Sequence, residues 1–140
     1  MTPPSLLADI RCFVLDMDGT VYLGERLLPG ARELLALFEV RGLDYLFLTN
    51  NSSRSRGQYA AKFVRLGLDV PESHIFTSGE GTVLTLRQDF AVQHVYVVGT
   101  PALEAEFVQA GYTLDPVKPE VVVLGFDTGL TYDKLWRLCD

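Results

Sequence analysis

The stretch that decides the fold is CFVLDMDGTVYLG, residues 12–24. It begins as an apolar run of strand length and ends in two carboxylates, Asp16 and Asp18, one residue apart, followed at once by Gly19 and Thr20. A strand over roughly 11–16 is expected, with Cys12 buried in it. Two acids this close repel each other, so a cation between them is the first explanation for keeping both ionised.

Working outward, strand-like and helix-like runs alternate, the pattern of an α/β fold with a parallel sheet. GTVYLGERLLPG, rich in glycine and carrying Pro29, reads as a loop or small flap. Ala31, Leu34, Leu35 and Phe38 recur at helical spacing, Pro29 and Gly30 start that helix, and Gly42 stops it. DYLFLTN (44–50) is the second strand. The serines of NSSRSR offer a helix N-cap, with Tyr59, Phe63 and Leu66 on one face and Gly67 as terminator. HIFTS, HVYVVG and EVVVLGFD read as further strands. The helices between and after them are GEGTVLTLRQDF, TPALEAEFVQAG and TYDKLWRLC.

Ligands of parallel α/β sheets bind beyond the carboxyl ends of the strands. Two polar clusters stand there, DMDGT after the first strand and TNNSSR after the second. The first supplies carboxylates; the second supplies Thr49, Asn50, Asn51, Ser52, Ser53 and the amides of an opening helix, which suit an anion. Mg²⁺ reconciles the two, since it takes hard oxygen ligands and uses one or two protein carboxylates. The implied ligand is a phosphate ester. Asp16 is then the nucleophile that forms an aspartyl phosphate, and Asp18 the general acid and base. The Thr49 hydroxyl and the Asn50 amide bind the phosphoryl oxygens, with Asn51 beside them. Gly19 permits the tight turn, and Thr20 holds it by hydrogen bonding. Either cluster alone reads as a turn or a helix cap; apolar strand, DMDGT, helix, apolar strand and LTNN together are far more specific.

The combination resembles the haloacid dehalogenase superfamily of phosphatases: FVLDMDGTVYLG is similar to its first motif and LFLTNNSSR to its second. The resemblance implies a Rossmann-like core, Mg²⁺ held by the Asp16 carboxylate and the Asp18 main-chain carbonyl, and Thr49 on the phosphoryl group. It extends through the rest of the chain, where a large α/β cap is inserted, so residues 1–76 are expected to be the first part of the core and 77–140 a partial cap. The third-motif lysine and fourth-motif acids of such enzymes are not found. Lys118 with Asp127 or Asp133 imitates them, but Lys118 stands too close to the following strand for the helix that should intervene. Lys62 and Lys134 fall on helices and are expected to be solvated.

The chain has 140 residues, 48% hydrophobic and 21% charged, with a formal net charge of −6. That is a globular composition, and its sign argues against nucleic acid or anionic membrane as partner. No run approaches the ~18 apolar residues of a membrane span. The N-terminus lacks the pattern of a secretory leader, and two cysteines, Cys12 and Cys139, do not make a disulfide framework, so a cytoplasmic location is expected. Arg54 and Arg56 read as surface ion-pairing residues, His74 and His94 as structural. Tyr132, Leu135 and Trp136 read as core or subunit interface. The expected partner is a small phosphorylated metabolite, with homo-oligomers possible through exposed sheet edges or the cap. Three functions fit: an Mg²⁺-dependent phosphomonoesterase or its N-terminal part, a phosphate-binding or assembly protein without turnover, and a phosphotransferase using the same aspartyl phosphate.

Overall fold

A computed structural model describes residues 9–139, so part of the segment on which the absence of a leader was read lies outside the described residues. The fold is α/β with parallel sheets, as the alternation of elements requires. The first sheet has the order β1 (Cys12–Leu15), β4 (Asp44–Thr49), β5 (Ile75–Thr77), all parallel. Between them run α1 (Ala31–Arg41) and α2 (Arg56–Arg65). The glycine-rich stretch after β1 is more ordered than a loop: Tyr22–Leu23 (β2) and Arg26–Leu27 (β3) pair as a short antiparallel hairpin. Two-residue strands are too short to carry a sequence periodicity, which is why the reading missed them.

Both helices lie on one face of this sheet. Phe38 of α1 stacks on Phe13 and Tyr45, and Phe63 of α2 stacks on Phe47. That is the outcome of two crossovers of the same hand that step the same way from β1 to β4 to β5. A core forms here from Met17, Tyr22, Phe47, Tyr59, Phe63 and Ile75. Among the described residues the opposite face is open: Val14 is 62% and Leu48 43% exposed. Cys12 is exposed as well, contrary to expectation, because β1 is an edge strand whose outer face no described residue covers.

The helix ends are set locally. Gly42, at φ 61°, closes α1 in the left-handed conformation that glycine adopts without strain. Ser55 caps α2 through a reciprocal capping box with Gln58, and Thr77 caps α3 (Ser78–Asp89) in the same way with Glu80. A second parallel sheet, β7 (Thr113–Leu114), β6 (His94–Val98), β8 (Val121–Leu124), follows α3 in the chain, and α4 (Pro101–Gln109) lies between β6 and β7. β7 was not foreseen. Val83, Leu86, Val95, Val97, Leu103 and Phe107 make the core of this part.

The last helix, α5 (Tyr132–Cys139), corrects the core half of the expectation that its aromatic face is core or subunit interface. Tyr132, Leu135 and Trp136 are 76%, 40% and 58% exposed, so they are not core among the described residues. Lys134 is ion-paired, its Nζ 2.6 Å from Asp127 and 3.0 Å from the Gly99 carbonyl oxygen. Lys62 is buried, where a solvated lysine was expected. His74 packs edge-on against Tyr45, and His94 stands 3.9 Å from Asp115, both consistent with structural roles.

Candidate active site

The parallel register of β1 and β4 pairs Leu15 with Phe47, so the two polar clusters leave the sheet side by side at its carboxyl edge. Asp16 is the first residue past β1. Asp16 and Asp18 are both exposed, while Met17 between them is completely buried. The alternation of the pleat thus carries into the turn and sends both carboxylates out as the Met17 side chain anchors in the core. Because water reaches both acids, their mutual repulsion is of order 1 kcal/mol at contact distances. Solvent alone therefore tolerates the pair, and the argument for a cation rests on the donor set.

The turn is held by its backbone. The Met17 carbonyl oxygen accepts from the amides of Thr20, Val21 and Tyr22 at 3.3, 2.9 and 3.3 Å, and the Gly19 amide donates to the Tyr22 carbonyl at 2.7 Å. Gly19 sits at φ 85°, where a side chain would be strained. Thr20 contributes its amide, with its side chain exposed.

On the second strand Thr49 is buried and its Oγ accepts from the Asn51 amide at 3.2 Å. Asn50 is exposed, and its carbonyl oxygen accepts from Ser78 at 3.0 Å. The Asn51 side-chain oxygen accepts from the Ser53 amide at 2.9 Å, an Asx turn that fixes the loop. α2 opens at Arg56 behind Ser55, one of the serines the sequence offered as N-cap, and a turn over Ser52 and Ser53 separates its free amides from Asn50. The second sheet clamps that turn. The Phe126 amide donates to Ser52 Oγ at 2.8 Å, and the Thr100 hydroxyl donates to the Ser53 carbonyl at 3.0 Å.

Two tyrosines that the sequence reading did not assign to the site join the clusters. The Tyr59 hydroxyl donates to the Asn51 carbonyl at 3.1 Å and is hydrogen-bonded with Thr49. Burial pushes both the Tyr59 and Tyr22 hydroxyls above the usual phenol range, and the charges of Asp16 and Asp18 push the same way. Arg54, exposed beside them, opposes the shift in both. One electrostatic neighbourhood therefore contains Asp16, Asp18, Arg54, Tyr22 and Tyr59. The signal for Tyr59 was its place one turn into α2, on the face that must meet β4. Arg56 instead pairs with Glu80, as expected of a surface ion pair.

The donors suit a hard divalent cation: carboxylate and carbonyl oxygens on one exposed turn, with no thiolate or imidazole among them. Among the described residues, however, no group of three His, Cys, Asp or Glu side chains is placed to hold a metal ion. No described helix is long and apolar enough to cross a membrane.

Comparison with known proteins agrees with this geometry. The family profile of haloacid dehalogenase-like hydrolases matches residues 13–113. The chain is 36% identical to human glycerol-3-phosphate phosphatase over 95% of its own length and 50% of that protein. It superimposes on the 4-nitrophenylphosphatase of Thermotoga maritima with a TM-score of 0.88 and 41% identity, over 93% of this chain and 50% of that one. A glycerol phosphate phosphatase of Mycobacterium tuberculosis, solved with magnesium and also with calcium, is similar at 31% identity, with TM-scores of 0.83 and 0.81. This chain covers 92% of itself and 40% of that enzyme in the magnesium complex. It spans about half the length of the first two relatives. The match runs through both polar clusters and on through β6 and α4, and on it the chain belongs to the haloacid dehalogenase-like hydrolase family.

Proposed function

We propose that this chain carries the nucleophile-bearing part of a phosphomonoester hydrolase that acts on a small phosphorylated metabolite. The observation that carries the reading is the side-by-side exit of Asp16–Asp18 and Thr49–Asn50 from two paired parallel strands. The phosphatase names of the relatives support it.

In this mechanism an Asp16 oxygen attacks phosphorus and the P–O bond to the alcohol breaks. The Asp18 carboxyl gives its proton to the departing oxygen. Asp18, now a carboxylate, takes a proton from a water molecule, whose oxygen attacks the aspartyl phosphate; phosphate leaves and Asp16 is restored. Thr49 and the Asn50 amide hold the phosphoryl oxygens, with Asn51 fixing their loop, and Arg54 adds positive charge. The Asp16 carboxylate and the Asp18 main-chain carbonyl would hold Mg²⁺, which when bound offsets the charge on the phosphoryl oxygens. The magnesium complex of one relative supports that choice of ion. The same reading divides the chain into core residues 1–76 and the start of a cap over 77–140.

The test is hydrolysis of 4-nitrophenyl phosphate with magnesium. Asp16→Asn is expected to abolish turnover with an unchanged circular dichroism spectrum, and Asp18→Asn to lower kcat by about 10²–10⁴-fold. Turnover by Asp16→Asn at the wild-type rate would remove the proposal.

A second reading, phosphate binding without turnover, is favoured by the lack of a three-ligand metal cluster among the described residues. Its signature is saturable phosphate binding with no release of 4-nitrophenol by the wild-type chain.

A further inference from the structure

We propose that Lys62 is a positioning residue for the Asp16–Asp18 turn, acting through the ring of Tyr22. The inference rests on the active-site reading above for its functional meaning, but its structural content can be tested separately.

Lys62 is buried, at 5% exposure, and no carboxylate of the described residues pairs with it. Its contact is an aromatic face: Nζ lies 3.7 Å from the centroid of the Tyr22 ring, a cation–π arrangement. That ring is itself immobilised, fully packed and edge-on to Phe63 at 5.8 Å between centroids.

What Tyr22 holds is the nucleophile turn. Its amide donates to the Met17 carbonyl, its carbonyl accepts from the Gly19 amide, and it forms a β-bridge with Asp18. A shift of the Tyr22 ring therefore moves the residues that flank both carboxylates. α2 reaches the other cluster too. Tyr59, three residues before Lys62 on the same helical face, donates to the Asn51 carbonyl in the loop after β4. One face of one helix thus sets the two strand-end loops relative to each other, Tyr59 registering the phosphate-side loop and Lys62 the nucleophile-side turn.

The experiment is residue-resolved amide hydrogen exchange on the full chain, with β6 amides as internal reference. Lys62→Met keeps the length of the side chain and removes the charge. It is expected to speed exchange at Gly19, Val21 and Tyr22 by about 3- to 30-fold, the range that loss of a cation–π contact implies, and to leave β6 unchanged. Lys62→Arg is expected to retain protection. Unchanged exchange in the turn, or an equal rise everywhere, overturns the proposal. Should Lys62→Met fail to fold, Phe and ring-fluorinated Phe at position 22 share one shape and differ in ring charge. Exchange in the turn is expected to quicken with fluorination, and a flat series overturns the proposal.

The kinetic arm separates the two ideas. Lys62→Met is expected to lower kcat on 4-nitrophenyl phosphate at constant KM, and an unchanged kcat with a loosened turn removes the positioning role in chemistry. If Asp16→Asn proves as active as wild type, the hydrolase reading falls while the exchange result still decides the structural link.

Discussion

Met17 shows how a single side chain can organise a turn that carries two carboxylates. Its burial forces its two neighbours outward, and its carbonyl gathers three amides that would otherwise need water. At the same scale, Glu106 carries a pH dependence. Burial raises its carboxyl above the usual range, the nearby Glu80 adds to the rise, and Thr77 and Arg56 oppose it. The folded state therefore binds this proton more tightly than the unfolded chain does. Its contribution to stability is complete below the unfolded carboxylate range and is lost as pH rises through the folded value. Glu106→Gln is expected to flatten the fall in Tm across that interval and to raise Tm at neutral pH relative to wild type. A thermal denaturation series from pH 4 to 8 checks this. The two acids and Thr49 were legible in the sequence because strand-end position is local information. The burial of Lys62 was not, since it depends on an aromatic ring contributed by a different element.

Among the elements, the helices were the most legible, because caps and stops act within a few residues. Gly42, Ser55 and Thr100 all terminate or open helices where the sequence placed them. Strand edges were less so. Whether β1 is central or peripheral depends on what pairs beside it, which no local pattern encodes, and so Cys12 was misjudged. Two substitutions test the elements. Ser55→Ala removes half of the α2 capping box and is expected to cost about 1 kcal/mol in urea denaturation. Gly79→Ala should cost more, about 1–3 kcal/mol. A Cβ there would lie 2.8 Å from Cδ1 of the buried Leu103 and collide with the Glu106 carboxylate, so both side chains would have to shift within the packed α3–α4 contact. By contrast, a Cβ at Gly57 meets only the flexible end of Glu72 at 3.1 Å, and Gly57→Ala is the matched control.

For the molecule as a whole, the one-sided first sheet dominates the expected behaviour in solution. Parallel sheets are ordinarily covered on both faces, whereas here Val14 and Leu48 on one strand pair and Trp136 on α5 stand open. Sedimentation velocity across a hundredfold concentration range is expected to show self-association, and Val14→Lys to weaken it; a monomer throughout would contradict this. Each sheet is also contiguous in the chain, the first ending at Thr77 and the second beginning at His94. As the chain emerges from the ribosome, the strand pair behind Asp16 and Thr49 can therefore close before the second sheet has been translated. The loop after β4 gains its hydrogen bonds from Thr100 and Phe126 only once the second sheet has been made, so the proposed phosphate-side loop sets after the turn that follows β1.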